Sequence, residues 1–149
     1  MCYNRNTNYN KELIIIATIE QQVKDLKKEK DYCCTQITYQ LAGLDPLGLE
    51  DAVGQKALRA LGWGVRTQLT CGAITGGAMV LALYIDDKEK MIKAIKEYTE
   101  WFKETFHHTQ CGDLLGWGKE PDGTCHDTIV APCVKHLLAL REQYMGTAE

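Results

Sequence analysis

The sequence predicts an all-α protein, a compact single-domain bundle of about five to six helices covering residues 1–149. Three observations lead there. Apolar residues recur at three- and four-residue spacings, no segment alternates apolar and polar residues between hairpin signals, and glycine or proline fills the gaps. A length of 149 residues, 45% of them hydrophobic and 25% charged, suits one globular core.

Ile16, Ile19, Val23 and Leu26 predict a first helix over residues 11–30, after a polar and frayed stretch at residues 1–10. A second helix is expected after Asp31 as N-cap, carrying Cys34, Ile37, Leu41 and Leu44 inward and closed by Pro46. Residues 52–61 read as a short third helix. Thr70 and Cys71 open a fourth, with Cys71, Ile74, Ala78, Leu81 and Ile85 as its buried stripe. Its first two turns hold Gly72, Ala73, Gly76 and Gly77, nearly bare of side chains. Each glycine costs a helix about 0.8–1.0 kcal/mol against alanine, so close approach of another backbone or of a bound group is implied. Asp86 and Glu89 read as the capping box of a fifth helix, which buries Met91, Ile95, Tyr98, Phe102 and Phe106 and ends near His107 and His108. A last helix follows residues 112–123, with Pro132 in its first turn and Leu137, Leu138 and Leu140 inside.

Charge and hydropathy remove whole classes of function. A net charge of -3, with no basic cluster interleaved with aromatics, argues against nucleic acid. The apolar run at residues 13–17 is too short to span a bilayer and leads into Glu20 without a cleavage site, so a cytoplasmic protein is expected. The chain has no serine for a serine nucleophile. His107, His108, His126 and His136 read as exposed or capping residues.

Seven cysteines carry the remaining information. At this density in a reducing compartment they point to redox chemistry or metal binding rather than a disulfide frame. Two segments echo each other. Leu61-Gly62-Trp63-Gly64 leads to Thr70-Cys71, and Leu115-Gly116-Trp117-Gly118 leads to Thr124-Cys125 at the same interval. The echo favours Cys125 over Cys133 as a functional position and casts Trp63 and Trp117 as lids. A cysteine at a helix start also meets unpaired N–H groups, which favour its thiolate. Packing among small residues is the competing account of Cys71.

Cys34-Thr35-Gln36-Ile37, Cys71-Gly72-Ala73-Ile74-Thr75-Gly76, Cys111-Gly112-Asp113-Leu114-Leu115 and a late cysteine before a terminal helix stand in one order. In this the chain resembles, over residues 30–143, a family of redox-active proteins with a Cys-Gly-Ala-x-x-Gly motif and three further cysteines. The resemblance implies thiol/disulfide or electron transfer through Cys34, Cys71, Cys111 and Cys125. Cys2, Cys33 and Cys133 are then dispensable. Related domains joined to c-type haem segments suggest the alternative of an iron–sulfur cluster on the same four thiolates, with Gly72, Ala73 and Gly76 as the surface beside it. Structural zinc involving His108, Cys111 or Cys125-His126 comes third, since no standard zinc spacing is present. No Cys-x-x-Cys-His occurs, so covalent c-type haem is not expected. The family's loop before the motif is richer in glycine than Val65-Arg66-Thr67-Gln68-Leu69 here. A redox partner protein or a small electron carrier is implied but not identified, whether the chain is an enzyme is open, and a homodimer through the first helix is possible.

Overall fold

A computed structural model describes residues 17–145, and the features expected at residues 1–16, Cys2 among them, lie outside that range. The described residues form seven helices and no strand, so the all-α class holds with slightly more helices than five to six. Helix α1 is Ile19–Lys30. It starts where Thr18 Oγ1 accepts from the Gln21 backbone N–H at 3.1 Å, a Thr-x-x-Gln start readable in the sequence. Asp31 closes α1 instead of opening the next helix. Its φ is 52° and its N–H bonds the Lys27 carbonyl, which is the C-cap geometry that removes the expected N-cap.

Helix α2, Cys34–Thr38, is capped by Cys33 and continues through a wide π-type turn, Tyr39–Leu44, into Asp45–Leu47. Pro46 therefore lies inside the closing turn, and Gly48 at φ 64° ends the helix. Helix α3 is Ala52–Leu58, followed by a 3-10 turn at Arg59–Leu61. Asp51 caps it by accepting from the Gly54 N–H at 2.8 Å and also accepts the Tyr39 hydroxyl at 2.7 Å. Helix α4 is Gly72–Tyr84 and α5 is Lys88–Phe106. The cap of α5 is Asp87, not Asp86: its Oδ1 accepts from the Lys90 N–H at 2.8 Å. Helix α6, Cys111–Leu115, was not expected, and α7, Ala131–Met145, grows out of a π-type turn at His126–Val130.

Helix α4 sits at the centre, and its surroundings explain its composition. It packs against α2, α5 and α7. Gly72, Ala73, Gly76, Gly77, Val80 and Leu81 are all buried, so the single expected stripe dissolves into a helix buried on nearly every side. The missing side chains are filled by neighbours. Gly76 lies against the Thr35 carbonyl, which a Cβ would meet at 2.9 Å, and Gly77 lies under the ring of Tyr98. Tyr98 is fully buried, and its hydroxyl donates to the Ala73 carbonyl at 2.7 Å. Around this contact Val23, Ile37, Phe102, Val134 and Leu137 complete the core.

Gly77→Ala should cost about 1–3 kcal/mol, because the new methyl strikes a hydrogen-bonded ring that cannot retreat. Urea unfolding measures it, and an unchanged midpoint would show that α5 yields freely.

Candidate functional site

The four sequence-predicted cysteines stand at four helix starts. Cys34 and Cys111 are the first residues of α2 and α6, Cys71 is the N-cap of α4, and Cys125 precedes the turn into α7. A short antiparallel bridge between Thr70 and Gln110 holds two of them together. Around it the Cys71 N–H donates to the Thr109 carbonyl at 2.9 Å and the Cys111 N–H to the Leu69 carbonyl at 2.6 Å. Gly72 admits a third, since a Cβ there would overlap Cys34 Sγ and Thr35 Oγ1. All four line one cavity of about 260 Å3.

Cys33, set aside by the sequence reading, lines the same cavity, whereas Cys133 is fully buried behind it. Gly72 is on the wall. Ala73 and Gly76 face neighbouring protein atoms and are not. Trp63 contributes to the wall, with Nε1 donating to the Lys119 carbonyl at 3.2 Å. Trp117 does not. It is 54% exposed, covers Gly112 and donates to Asp113, so the two halves of the echo are not equivalent.

His126 overturns its expected role as an exposed or capping residue. It is only 7% exposed and lines the cavity beside Cys125, with 4.0 Å between Nδ1 and Sγ. Nδ1 also lies 3.2 Å from the Gly123 carbonyl. A carbonyl can only accept, so Nδ1 carries the proton and Nε2 is a bare acceptor. Nε2 is buried with no hydrogen-bond partner. Burial holds the imidazole below its ordinary pKa, in the neutral form.

Burial also decides the thiols, against the expectation drawn from helix starts. Cys71 is pushed up to about 12: desolvation outweighs the Ala73 and Ile74 N–H groups that favour its thiolate. Burial, with the charges of Cys111 and Asp122, takes Cys125 to about 11, and burial raises Cys111. Cys34 is raised by its hydrogen bond to Cys33, then by burial and by Cys71. Cys33 is the exception. The Cys34 thiol donating to it and the Gln36 and Thr35 N–H groups, aided by Arg66, outweigh burial and bring it to about 6. Within this vicinal pair Cys33 is shifted toward the thiolate and Cys34 away from it. The sequence signal that could have found Cys33 was its place one residue before a helix whose N3 residue, Gln36, accepts from the Cys33 N–H at 3.1 Å.

The wall formed by residues 63–68 is strained. Trp63, Val65, Arg66 and Gln68 have φ of 52°, 56°, 60° and 61°, the left-handed region that glycine enters freely. The buried Gln68 side chain holds this turn, donating to the Gly116 carbonyl at 2.9 Å and accepting from the Gly118 N–H at 2.7 Å.

Four thiols match the ligand number of common iron–sulfur clusters. Among the described residues no group of three or more His, Cys, Asp or Glu is arranged to hold a single metal ion. The six cysteines among the described residues are free of disulfides, and no helix there is long and apolar enough to cross a membrane.

Helix starts that bring dispersed cysteines to one cavity define an all-helical, cysteine-centred protein. Residues 32–139 match the sequence model of the family described as "Putative redox-active protein (C_GCAxxG_C_C)", and the chain belongs to that family. Neither the curated proteins nor the solved structures contain a match to it.

Alkylation with iodoacetamide near neutral pH should label Cys33 first, with a rate that rises with its thiolate fraction and levels off above about pH 7. Peptide mapping by mass spectrometry reads the order, and earlier labelling of Cys71 or Cys133 would contradict it. Val65→Gly should raise stability by up to about 1 kcal/mol, since a left-handed side-chain residue costs about 1–2 kcal/mol and glycine's extra entropy about 0.5–1. A thermal midpoint that stays or falls would show the turn to be unstrained.

Proposed function

We propose that the protein is a thiol–disulfide redox protein that stores an electron pair in the cavity cysteines Cys34, Cys71, Cys111 and Cys125, with Cys33 as the entering nucleophile. The observation that supports this is the gathering of cysteines from four separate segments on the walls of one cavity. The family's redox description agrees with it. Exchange needs one ionised sulfur to attack and a second, protonated sulfur nearby to resolve the mixed disulfide. Cys33 has the first character and its neighbours the second. Cys34, hydrogen-bonded to Cys33, is the nearest resolving partner, and the other cavity cysteines are the alternatives.

The iron–sulfur alternative asks the same sulfurs for a different state. Cluster ligands are thiolates, and a bound metal would itself draw off the protons that burial favours on these four sulfurs, so the two readings differ in what the cavity holds and not in its residues. No step of the proposed exchange runs through a cluster.

Protein purified without oxygen should be colourless, lack iron and acid-labile sulfide, and lose thiols in pairs on oxidation, regaining them with a dithiol reductant. Serine at Cys34, Cys71, Cys111 or Cys125 should reduce the number of thiols lost, while Cys133→Ser should not. Stoichiometric iron and sulfide with visible absorption bleached by dithionite would establish the cluster instead.

A further inference from the structure

We propose that Cys33 reduces hydroperoxides, with the Arg66 guanidinium receiving the oxygen that leaves. The inference rests on the thiol–disulfide reading, from which it takes Cys33 as the entering nucleophile, and it names a second class of oxidant. The surroundings of the sulfur supply the first argument. Cys33 caps α2, where the Thr35 and Gln36 N–H groups and the Cys34 thiol donate toward Sγ. The Leu58 carbonyl, 3.9 Å away, is a weak competing acceptor. Cys33 is half-buried on the cavity wall, within reach of a molecule little larger than water. Arg66 supplies the second argument. Gly62 has no side chain, and a Cβ there would meet Cys33 Sγ at 2.8 Å and Arg66 Nη2 at 3.4 Å, so sulfur and guanidinium meet over this glycine. Arg66 Nε and Nη2 each donate to the Arg59 carbonyl, which fixes the plane of the guanidinium and leaves its other N–H groups to donate elsewhere. Both residues line the cavity. The backbone supplies the third argument. Arg66 stands at φ 60°, an angle that a residue with a side chain adopts at a cost, and strain of this kind gathers at sites where placement is used. A leaving thiolate carries its own charge well, whereas a hydroxide or alkoxide leaving from oxygen gains most from a positioned cation.

The step balances. The Cys33 thiolate attacks the terminal oxygen of R–O–O–H; an S–O bond forms, the O–O bond breaks and R–O⁻ leaves beside Arg66, then takes a proton from water. Cys33 becomes a sulfenic acid, oxidised by two electrons, and the hydroperoxide is reduced to R–OH, which is water when R is hydrogen. A second cavity thiol, Cys34 being the nearest, attacks the sulfenic sulfur. An S–S bond forms, and the thiol proton leaves with the sulfenic oxygen as water. A dithiol reductant returns the disulfide to two thiols.

The test mixes fully reduced protein with hydrogen peroxide and follows thiol loss, with dimedone added in a parallel series to trap sulfenic acid for peptide mapping. Cys33 should be the first residue to carry dimedone, and its oxidation should be at least about 100-fold faster than that of free cysteine at pH 7, a factor of about ten or more coming from the cation. Arg66→Met should remove that tenfold from the peroxide reaction while slowing iodoacetamide alkylation of Cys33 much less. Arg66→Lys, which keeps the charge but not the fork, should recover part of it. A purely structural role for Arg66 would slow both reactions alike. Wild-type oxidation no faster than that of free cysteine, a first adduct on another cysteine, or equal slowing of both reactions in Arg66→Met would overturn the proposal. Treating the same wild-type protein with 2-hydroxyethyl disulfide separates the two readings. A protein disulfide formed with that reagent leaves thiol–disulfide exchange standing when the peroxide reaction fails, and no thiol lost to either reagent overturns both.

Discussion

Gly72 has no Cβ, and the site depends on that absence. At the first turn of α4 the backbone lies so close to α2 that a methyl group would overlap both Cys34 Sγ and Thr35 Oγ1. One turn later Gly76 repeats the approach against the Thr35 carbonyl. The two contacts seat the start of α4 on the start of α2 and set Cys71 beside Cys34. The Thr70–Gln110 bridge then brings Cys111 to the same place, and the lead into α7 adds Cys125. Bulk at Gly72 would separate the helices at the point where the sulfurs meet. The small-residue turn is thus a packing device, and the cysteine cavity exists because the packing is this tight.

Tight packing has an electrostatic consequence. Helix N-termini favour thiolates by fractions of a kcal/mol to a few, while desolvation of a buried thiol costs more, and for Cys71 the balance falls clearly on the protonated side. Cys33 escapes because it is only partly buried and receives a thiol hydrogen bond in addition to backbone donors. One partly exposed sulfur shifted toward the thiolate, in front of several shifted away from it, is the asymmetry that the proposed exchange would use. It follows from depth of burial, not from any difference in residue type.

Helices that bury one face were legible in the sequence. Val23 and Leu26 on α1, and Tyr98 and Phe102 on α5, lie inside as their spacing requires. Caps slipped where two candidates competed: Asp87 took the role assigned to Asp86, and Asp31 ended a helix instead of starting one. Periodicity failed for α4, since a helix buried all round has no preferred face. It failed also at the π-type turns, Tyr39–Leu44 and His126–Val130, where the repeat itself changes. Cys34, Cys71, Cys111 and Cys125, singled out by their order in the sequence, line one cavity. Cys33 and His126 were missed for different reasons. Cys33 owes its shift mainly to Cys34 and the Gln36 and Thr35 N–H groups of the helix it caps, and His126 owes its character to the depth of the cavity around it.

The left-handed turn at Trp63–Gln68 shows how such a wall is kept. Four residues with side chains occupy backbone angles suited to glycine, and each adds about 1–2 kcal/mol of strain that local sequence does not relieve. Relief comes from the bonds the turn makes at a distance: Gln68 with Gly116 and Gly118, Trp63 with Lys119, Arg66 with the Arg59 carbonyl. Two of these reach the segment that leads to Cys125, so the strained turn and that cysteine are mechanically joined. Glycine in the turn would remove the strain. It would also remove Trp63 from the cavity wall and the Arg66 guanidinium from the neighbourhood of Cys33, the charge that helps to keep that sulfur ionised. Trp63 and Arg66 reach the cavity from this turn, while Gln68 holds it in place from behind.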